Sequence, residues 1–236
     1  MSKKKIWIAI GIVLIAILCV GAFFVFRDLK QEEALEDEMD QIYEMMDRKN
    51  IDIEGVRSLL TRTIAKGEYQ VVEKALKQYL VDVLDTYEET LALLEDEQMT
   101  NLLTIENYKT DGPDFKNSKE YINQTTKSLT DLKEQFVNYL KQSTVLSYIE
   151  KTNVESYYVE FYKELALDGT EDFDDAEKTL EKSIDDVLAL LRDCDRVFDF
   201  LIQNKGKWDI QDETLYFESD ALTIQYNRLI DNAIDS

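Results

Sequence analysis

The chain has 236 residues, of which 44% are hydrophobic and 11% aromatic, a composition that can form a folded apolar core. Its 49 acidic and 27 basic residues give a net charge of −22, which excludes DNA or RNA binding and peripheral docking onto anionic lipids. Histidine is absent, so every histidine-dependent nucleophile and the commonest protein metal ligand are excluded as well.

Residues that form turns are scarce, because glycine occurs 7 times and proline only at Pro113. Sheets need frequent turns, whereas the long segments here are rich in good helix formers, so we expect an all-α fold. Short breaks between long helices favour antiparallel neighbours. The sequence therefore predicts an N-terminal transmembrane helix followed by an antiparallel bundle of four or five long helices.

Residues 1–5 form a basic flank that contains Lys3, Lys4 and Lys5, and residues 6–26 follow as 21 residues without a charge. A helix of that length spans about 31 Å, which matches the hydrocarbon core of a bilayer. We call residues 6–26 the apolar segment and expect it to be a single transmembrane anchor. The lysines ahead of it predict a cytoplasmic N-terminus and an extracytoplasmic C-terminal domain.

A cleaved signal peptide is the alternative interpretation of the apolar segment. Small residues at positions 20–22 offer a cleavage site after Ala22. However, residues 23–26 continue the apolar run beyond that site, which is more typical of a retained span. We therefore expect the anchor to be retained.

Apolar residues at helical spacing predict the next elements in chain order. Residues 27–48 form a helical stalk, with Leu35, Met39, Ile42 and Met46 on one stripe. An acidic helical-bundle domain follows over residues 49–236. It begins with a short helix from Asn50 to Lys66-Gly67 and a full helix over residues 68–97. The strongest break in the chain is at residues 111–114.

The second half of the domain has the same pattern of helices and breaks. Capping patterns at residues 117–120 and 152–155 predict two helix starts, and residues 168–170 predict a break. The cleanest apolar stripe runs over residues 173–201, and a last helix covers about 212–234. A homodimeric coiled coil through the two cleanest stripes is the structural alternative.

Few residues support catalysis or metal binding. Cys19 lies within the apolar segment, so Cys194 alone cannot build a zinc site, and we expect it to be a buried thiol. An EF-hand alignment centred on Gly169 fails at its third ligand, Ala166. Carboxylates are abundant, so a carboxylate-based hydrolase is the one enzymatic alternative. We expect no enzyme activity, no cofactor and no metal.

Aromatic residues are the candidate binding residues. Tyr157, Tyr158, Phe161 and Tyr162 lie on one helix face, and Trp208 lies at a helix junction. Tyrosine and tryptophan combine an apolar ring with a polar group and are common in recognition surfaces. The alternative interpretation is that the run packs in the core and that Trp208 closes the end of the bundle.

These features favour a membrane-tethered extracytoplasmic helical module with a binding or structural role in the cell envelope. Its architecture resembles the extracytoplasmic helical bundles of bacterial sensors. We expect it to contact the lipid bilayer through residues 6–26 and an unidentified envelope protein through its domain. The alternative reverses the topology and makes the domain a cytoplasmic-facing membrane scaffold that binds basic partners through its acidic surface.

Overall fold

The computed structural model of the protein describes residues 30–46, 52–167 and 173–235. Within these ranges the chain is mostly helical, as the sequence predicts. None of the helices in the described ranges is both long and apolar enough to cross a membrane. The apolar segment, the predicted cap Asn50 and the predicted break at residues 168–170 lie outside them.

Helices of very different length follow one another along the described chain. In order they are α1 (Lys30–Met46), α2 (Ile53–Thr61), α3 (Glu68–Glu95), α4 (Glu97–Asn101), α5 (Ile105–Asp111), α6 (Lys116–Tyr139), α7 (Gln142–Glu150), α8 (Ser156–Leu167), α9 (Phe173–Gln203) and α10 (Asp220–Asp235). Two strands, β1 (Trp208–Gln211) and β2 (Thr214–Phe217), form an antiparallel hairpin between α9 and α10. The sequence does not predict this hairpin, and the described chain is otherwise consistent with the expected all-α fold.

The contacts between residues divide the chain into two compact units. Of the described residues, unit 1 contains 90–132 and 182–235, and unit 2 contains 30–46, 52–89, 133–167 and 173–181. Each of α3, α6 and α9 contributes residues to both units. The domain expected as one bundle over residues 49–236 therefore has two sets of internal contacts.

The first helix is part of the core of unit 2. The stripe predicted for a stalk over residues 27–48 is buried at Leu35, Met39, Ile42 and Met46. α1 packs against α2, whose buried side chains are Val56, Leu59 and Leu60. Residues 30–46, which the sequence assigns to the stalk, thus pack within unit 2.

α2 is shorter than the helix that the sequence predicts. It begins after Asp52, whose carboxylate accepts a hydrogen bond from Gly55 N at 3.0 Å. It ends at Thr61, because Arg62 has extended backbone angles, whereas apolar spacing and a C-terminal glycine predict an end at Lys66-Gly67. Buried side chains from neighbouring helices bind the backbone beyond Thr61, and apolar spacing does not reveal such bonds.

An aromatic cluster forms the centre of unit 1. The Phe115 ring stacks on the Phe198 ring at a centroid distance of 4.8 Å, and Tyr108 meets both rings edge-on. α9 carries the stripe predicted over residues 173–201, and its buried members in unit 1 include Leu191, Cys194, Phe198 and Leu201. The prediction of one long helix in this region is confirmed.

The start of α6 is capped differently from the prediction. The Asp111 carboxylate accepts hydrogen bonds from Asn117 N at 3.1 Å and from Ser118 N at 2.7 Å. The sequence predicts that residue Asn117 itself begins the cap. The second helix start, near residues 152–155, is confirmed because α8 begins at Ser156.

The predicted last helix is wrong at its start, because residues 214–217 form β2 and α10 begins only at Asp220. Half-buried and exposed residues alternate along both strands, which is the period of a strand and not of a helix. The half-buried residues are Trp208, Ile210, Leu215 and Phe217. Asp212 and Glu213 join the strands with φ of 47° and 62°, the left-handed angles that a two-residue hairpin turn requires.

Glu213→Gly is expected to stabilise the protein, because glycine adopts a positive φ without a clash between Cβ and the backbone. Relief of about 1–2 kcal/mol of backbone strain exceeds the extra chain entropy of glycine, so unfolding should cost about 0.5–1 kcal/mol more. Denaturant titration of the full chain in detergent measures this difference. Glu213 also pairs with Lys109, so Lys109→Met serves as the control for loss of that exposed ion pair alone. A less stable Glu213→Gly protein would contradict the strain argument.

Candidate functional site

Two of the predicted binding residues are core residues of unit 2. Phe161 and Tyr162 are buried on α8, and the Tyr162 hydroxyl donates a hydrogen bond to Val145 O at 2.8 Å. A tyrosine whose ring and hydroxyl are both satisfied inside the protein has no free group for a ligand. The packing interpretation therefore describes these two residues.

The other two tyrosines of α8 lie at its first turn. Tyr157 is 44% exposed, and its hydroxyl donates a hydrogen bond to the Glu32 carboxylate. Tyr158 contacts Tyr69 edge-on at a centroid distance of 5.0 Å, and Phe161 contacts the same ring at 5.6 Å. These rings pack on one another, and among them only Tyr157 is exposed.

Glu32 is the carboxylate on which this cluster converges, and it is 3% exposed. It accepts a hydrogen bond from the Tyr69 hydroxyl at 2.7 Å as well as the one from Tyr157. Burial, followed by the hydrogen bond to Glu32, raises the pKa of Tyr69 well above its usual range, so this hydroxyl stays a donor. The cluster joins the starts of α1, α3 and α8. Glu32 is acidic and close to the apolar segment, so nothing in the sequence singles it out as a buried residue.

A second buried site contains a lysine. Lys77 on α3 is 4% exposed, and its ammonium contacts the carboxylates of Glu38 and Glu73, each of which is 1% exposed. The same ammonium donates to the backbone oxygens of Leu59 at 3.0 Å and Arg62 at 2.9 Å. The lysine therefore joins α1, the end of α2 and α3.

Glu73 and Arg62 complete this group of charges. Glu73 accepts hydrogen bonds from Ile64 N at 3.0 Å and Ala65 N at 2.9 Å, so it satisfies the amides that follow α2. The Arg62 guanidinium donates to both oxygens of Glu38, with Nε at 2.9 Å and 2.8 Å. Two cations thus face two carboxylates. We call Glu38, Arg62, Glu73 and Lys77 the charge cluster.

The charge cluster is poorly suited to acid–base catalysis. Burial alone raises the pKa of Glu38, but hydrogen bonds from Arg62 and Lys77 outweigh it and hold the pKa below its ordinary value. A general acid needs a carboxyl that keeps its proton near neutral pH, which is the opposite shift. Glu38 therefore acts as a fixed negative charge.

Two carboxyl groups on α1 have raised pKa values. For Glu36 and Asp40 the first cause is burial, followed by repulsion from acidic neighbours that include Asp37. All of these groups lie along one helix, where like charges raise each other's pKa without any pocket. The shifts therefore do not identify a catalytic pair.

The described part of the chain also contains no group of three or more histidine, cysteine or acidic side chains arranged to hold a metal ion. Cys194 is buried, and burial, with repulsion from Asp193, raises the pKa of its thiol to about 12. A thiol with so high a pKa is almost entirely protonated at neutral pH and is a poor nucleophile.

Trp208 belongs to unit 1, whereas the α8 aromatics belong to unit 2. Its indole Nε1 donates to Leu201 O at 2.8 Å, and its ring stacks on Phe115 at a centroid distance of 6.1 Å. These contacts join β1 to the end of α9. The five predicted binding residues are thus divided between the two units and do not form a single site within either.

Comparison with known proteins gives no relative of this chain: no family model, no curated protein and no solved structure matches it.

Lys77→Met is expected to lower the free energy of unfolding by about 3–5 kcal/mol, because it leaves two buried carboxylates facing a single arginine. Denaturant titration of the full chain in detergent measures the loss. Lys127→Met is the matched control, since Lys127 also pairs with a carboxylate four residues away but is largely exposed, and it should change stability little. Equal effects of the two substitutions would show that the charge cluster does not stabilise unit 2.

Stability should fall in acid because of Glu38. Its pKa is lowered in the folded state, so the unfolded chain takes up the proton first as the pH falls through the ordinary value of 4.5. The stabilisation is complete above that pH and is lost as the pH approaches the lower folded pKa. Glu38→Gln removes this proton uptake, so its stability should depend less steeply on pH below 5 than that of the parent chain. An unchanged slope in denaturant titrations from pH 6 to pH 3 would contradict this assignment.

Proposed function

We propose that the protein is a membrane-tethered, extracytoplasmic helical module with a binding or structural role in the cell envelope. The observation that carries the proposal is the apolar segment, whose 21 uncharged residues follow Lys3, Lys4 and Lys5. Its length suits the hydrocarbon core, and the lysines favour retention of the N-terminus in the cytoplasm.

The way α1 is held supports a structural or binding role. The helix begins four residues after Phe26, and its buried residues Glu32 and Glu38 bond to partners on other elements of unit 2. Only residues 27–29 separate the apolar segment from this packed helix, so a membrane anchor keeps Lys30 within about 14 Å of Phe26.

We propose that the protein is not an enzyme, and the ion-paired state of Glu38 supports this over a carboxylate-based hydrolase. We further propose an envelope protein as the partner, with a second copy of this chain as the alternative.

The second candidate function is a cytoplasmic-facing scaffold that binds basic partners. The net charge of −22 favours it, because an acidic surface attracts basic proteins at long range. The two candidates share the membrane tether and differ in the side of the membrane on which the domain lies. A measurement of membrane topology therefore distinguishes the two candidates.

Protease treatment of intact cells that carry a C-terminally tagged full chain tests the proposed topology. We expect the tag to be removed from outside, and tag loss only after permeabilisation would favour the cytoplasmic scaffold. A variant with Lys3, Lys4 and Lys5 all changed to Glu is the matched control. It should reduce the externally cleaved fraction, because it removes the charges that retain the N-terminus.

A further inference from the structure

We propose that unit 2 rests on the bilayer surface through one exposed face. This face consists of Lys30, Gln31, Lys66, Gly67 and Tyr157, and we call it the lysine–tyrosine face. The inference rests on the membrane tether proposed above and adds to it the surface that meets the lipid head groups.

Hydrogen bonds join the parts of this face to the first turn of α1. Gln31 Oε1 accepts from Lys66 N at 2.9 Å, which places the turn before α3 beside the start of α1. On the next residue, Glu32 accepts from Tyr157 at the start of α8. Residues that are far apart in sequence therefore form one surface where the described chain begins.

Chain length holds this surface close to the apolar segment. Lys30 is four residues beyond Phe26, so even a fully extended chain separates their Cα atoms by no more than about 14 Å. The head-group layer of a bilayer is itself about 5–8 Å thick on each side. If the apolar segment spans the membrane, the lysine–tyrosine face lies at or just above the head groups.

The chemistry of the face suits that position. Tyr157 is 44% exposed, and tyrosine rings are enriched where membrane and water meet. Lys30 and Lys66 are exposed cations that attract anionic head groups. Glu33, Glu68 and Glu155 are exposed beside these residues in the sequence, and Glu32 is buried next to Tyr157, so the two lysines are the cations of a face that also contains carboxylates.

The tether selects this orientation. Repulsion from anionic lipid prevents a free domain of this charge from docking out of solution. A tethered domain is already at the surface, so the face nearest the apolar segment, which contains Lys30, meets the head groups.

Quenching of a fluorophore by head-group-labelled lipid tests the proposal. The full chain with Cys19→Ala is reconstituted into vesicles of phosphatidylcholine and phosphatidylglycerol that contain a nitroxide on the choline head group. A bimane label is attached through Glu68→Cys or, as the matched control, through Glu89→Cys. Both positions are exposed glutamates of α3 in unit 2, about 32 Å apart along the helix. Cys194 is buried and does not compete for the label.

We expect the label at position 68 to be quenched several-fold more strongly than the label at position 89. A second chain carries about 20 flexible glycine and serine residues inserted before Lys30. Because such a linker reaches about 25 Å, the short tether no longer forces unit 2 against the bilayer, and only binding by the face itself can keep it there. Stronger quenching at position 68 should persist with the linker if the face itself binds lipid. Equal quenching at positions 68 and 89 in either chain, the one with the linker or the one without it, would overturn the inference while leaving the tether intact. Failure of the chain to float with the vesicles would instead refute the tether and this inference with it.

Discussion

A single buried ammonium group constrains unit 2. Lys77 is 4% exposed, and a charge removed from water must find compensating charges and acceptors inside the protein. It does so with carboxylates from α1 and α3 and with backbone oxygens at and beyond the end of α2. Three consecutive elements must therefore keep their positions for this charge to remain paired, and the irregular connection between α2 and α3 is built around it.

The charge cluster also holds α1, the described helix that follows the proposed tether in sequence, against the rest of unit 2. Glu38 lies on α1, between buried apolar residues of the stripe that was expected to be a stalk. Its bonds to Arg62 and Lys77, together with those of Glu32 to two tyrosines, hold α1 at two points along its length. α1 is therefore fixed to the rest of unit 2 at a place close in sequence to the apolar segment.

The elements that the sequence predicts well depend on apolar periodicity alone. The stripes of α1, α3 and α9 lie where spacing places them, because burial of an apolar face stabilises each helix locally. The elements it predicts poorly depend on polar side chains that bind backbone amides several residues away, such as Asp111 at the start of α6 and Glu73 beyond α2, and apolar spacing does not reveal these bonds. The hairpin was missed because its turn, Asp212-Glu213, lacks the glycine that usually marks such turns. Helical spacing also predicts that the α8 aromatic residues share one face. It does not predict that Glu32 and Lys77 are buried, because charged residues in a helix are usually exposed.

Hydrogen exchange at the amides of Ile64 and Ala65 tests the central role of the charge cluster most directly. These amides lie outside any helix or strand, and their bonds to the Glu73 carboxylate are the only ones that the described structure gives them. If Lys77 and its carboxylates hold unit 2 together, both amides should exchange as slowly as those in the middle of α3. Exchange at the rate of an open loop, while α3 remains protected, would contradict the account.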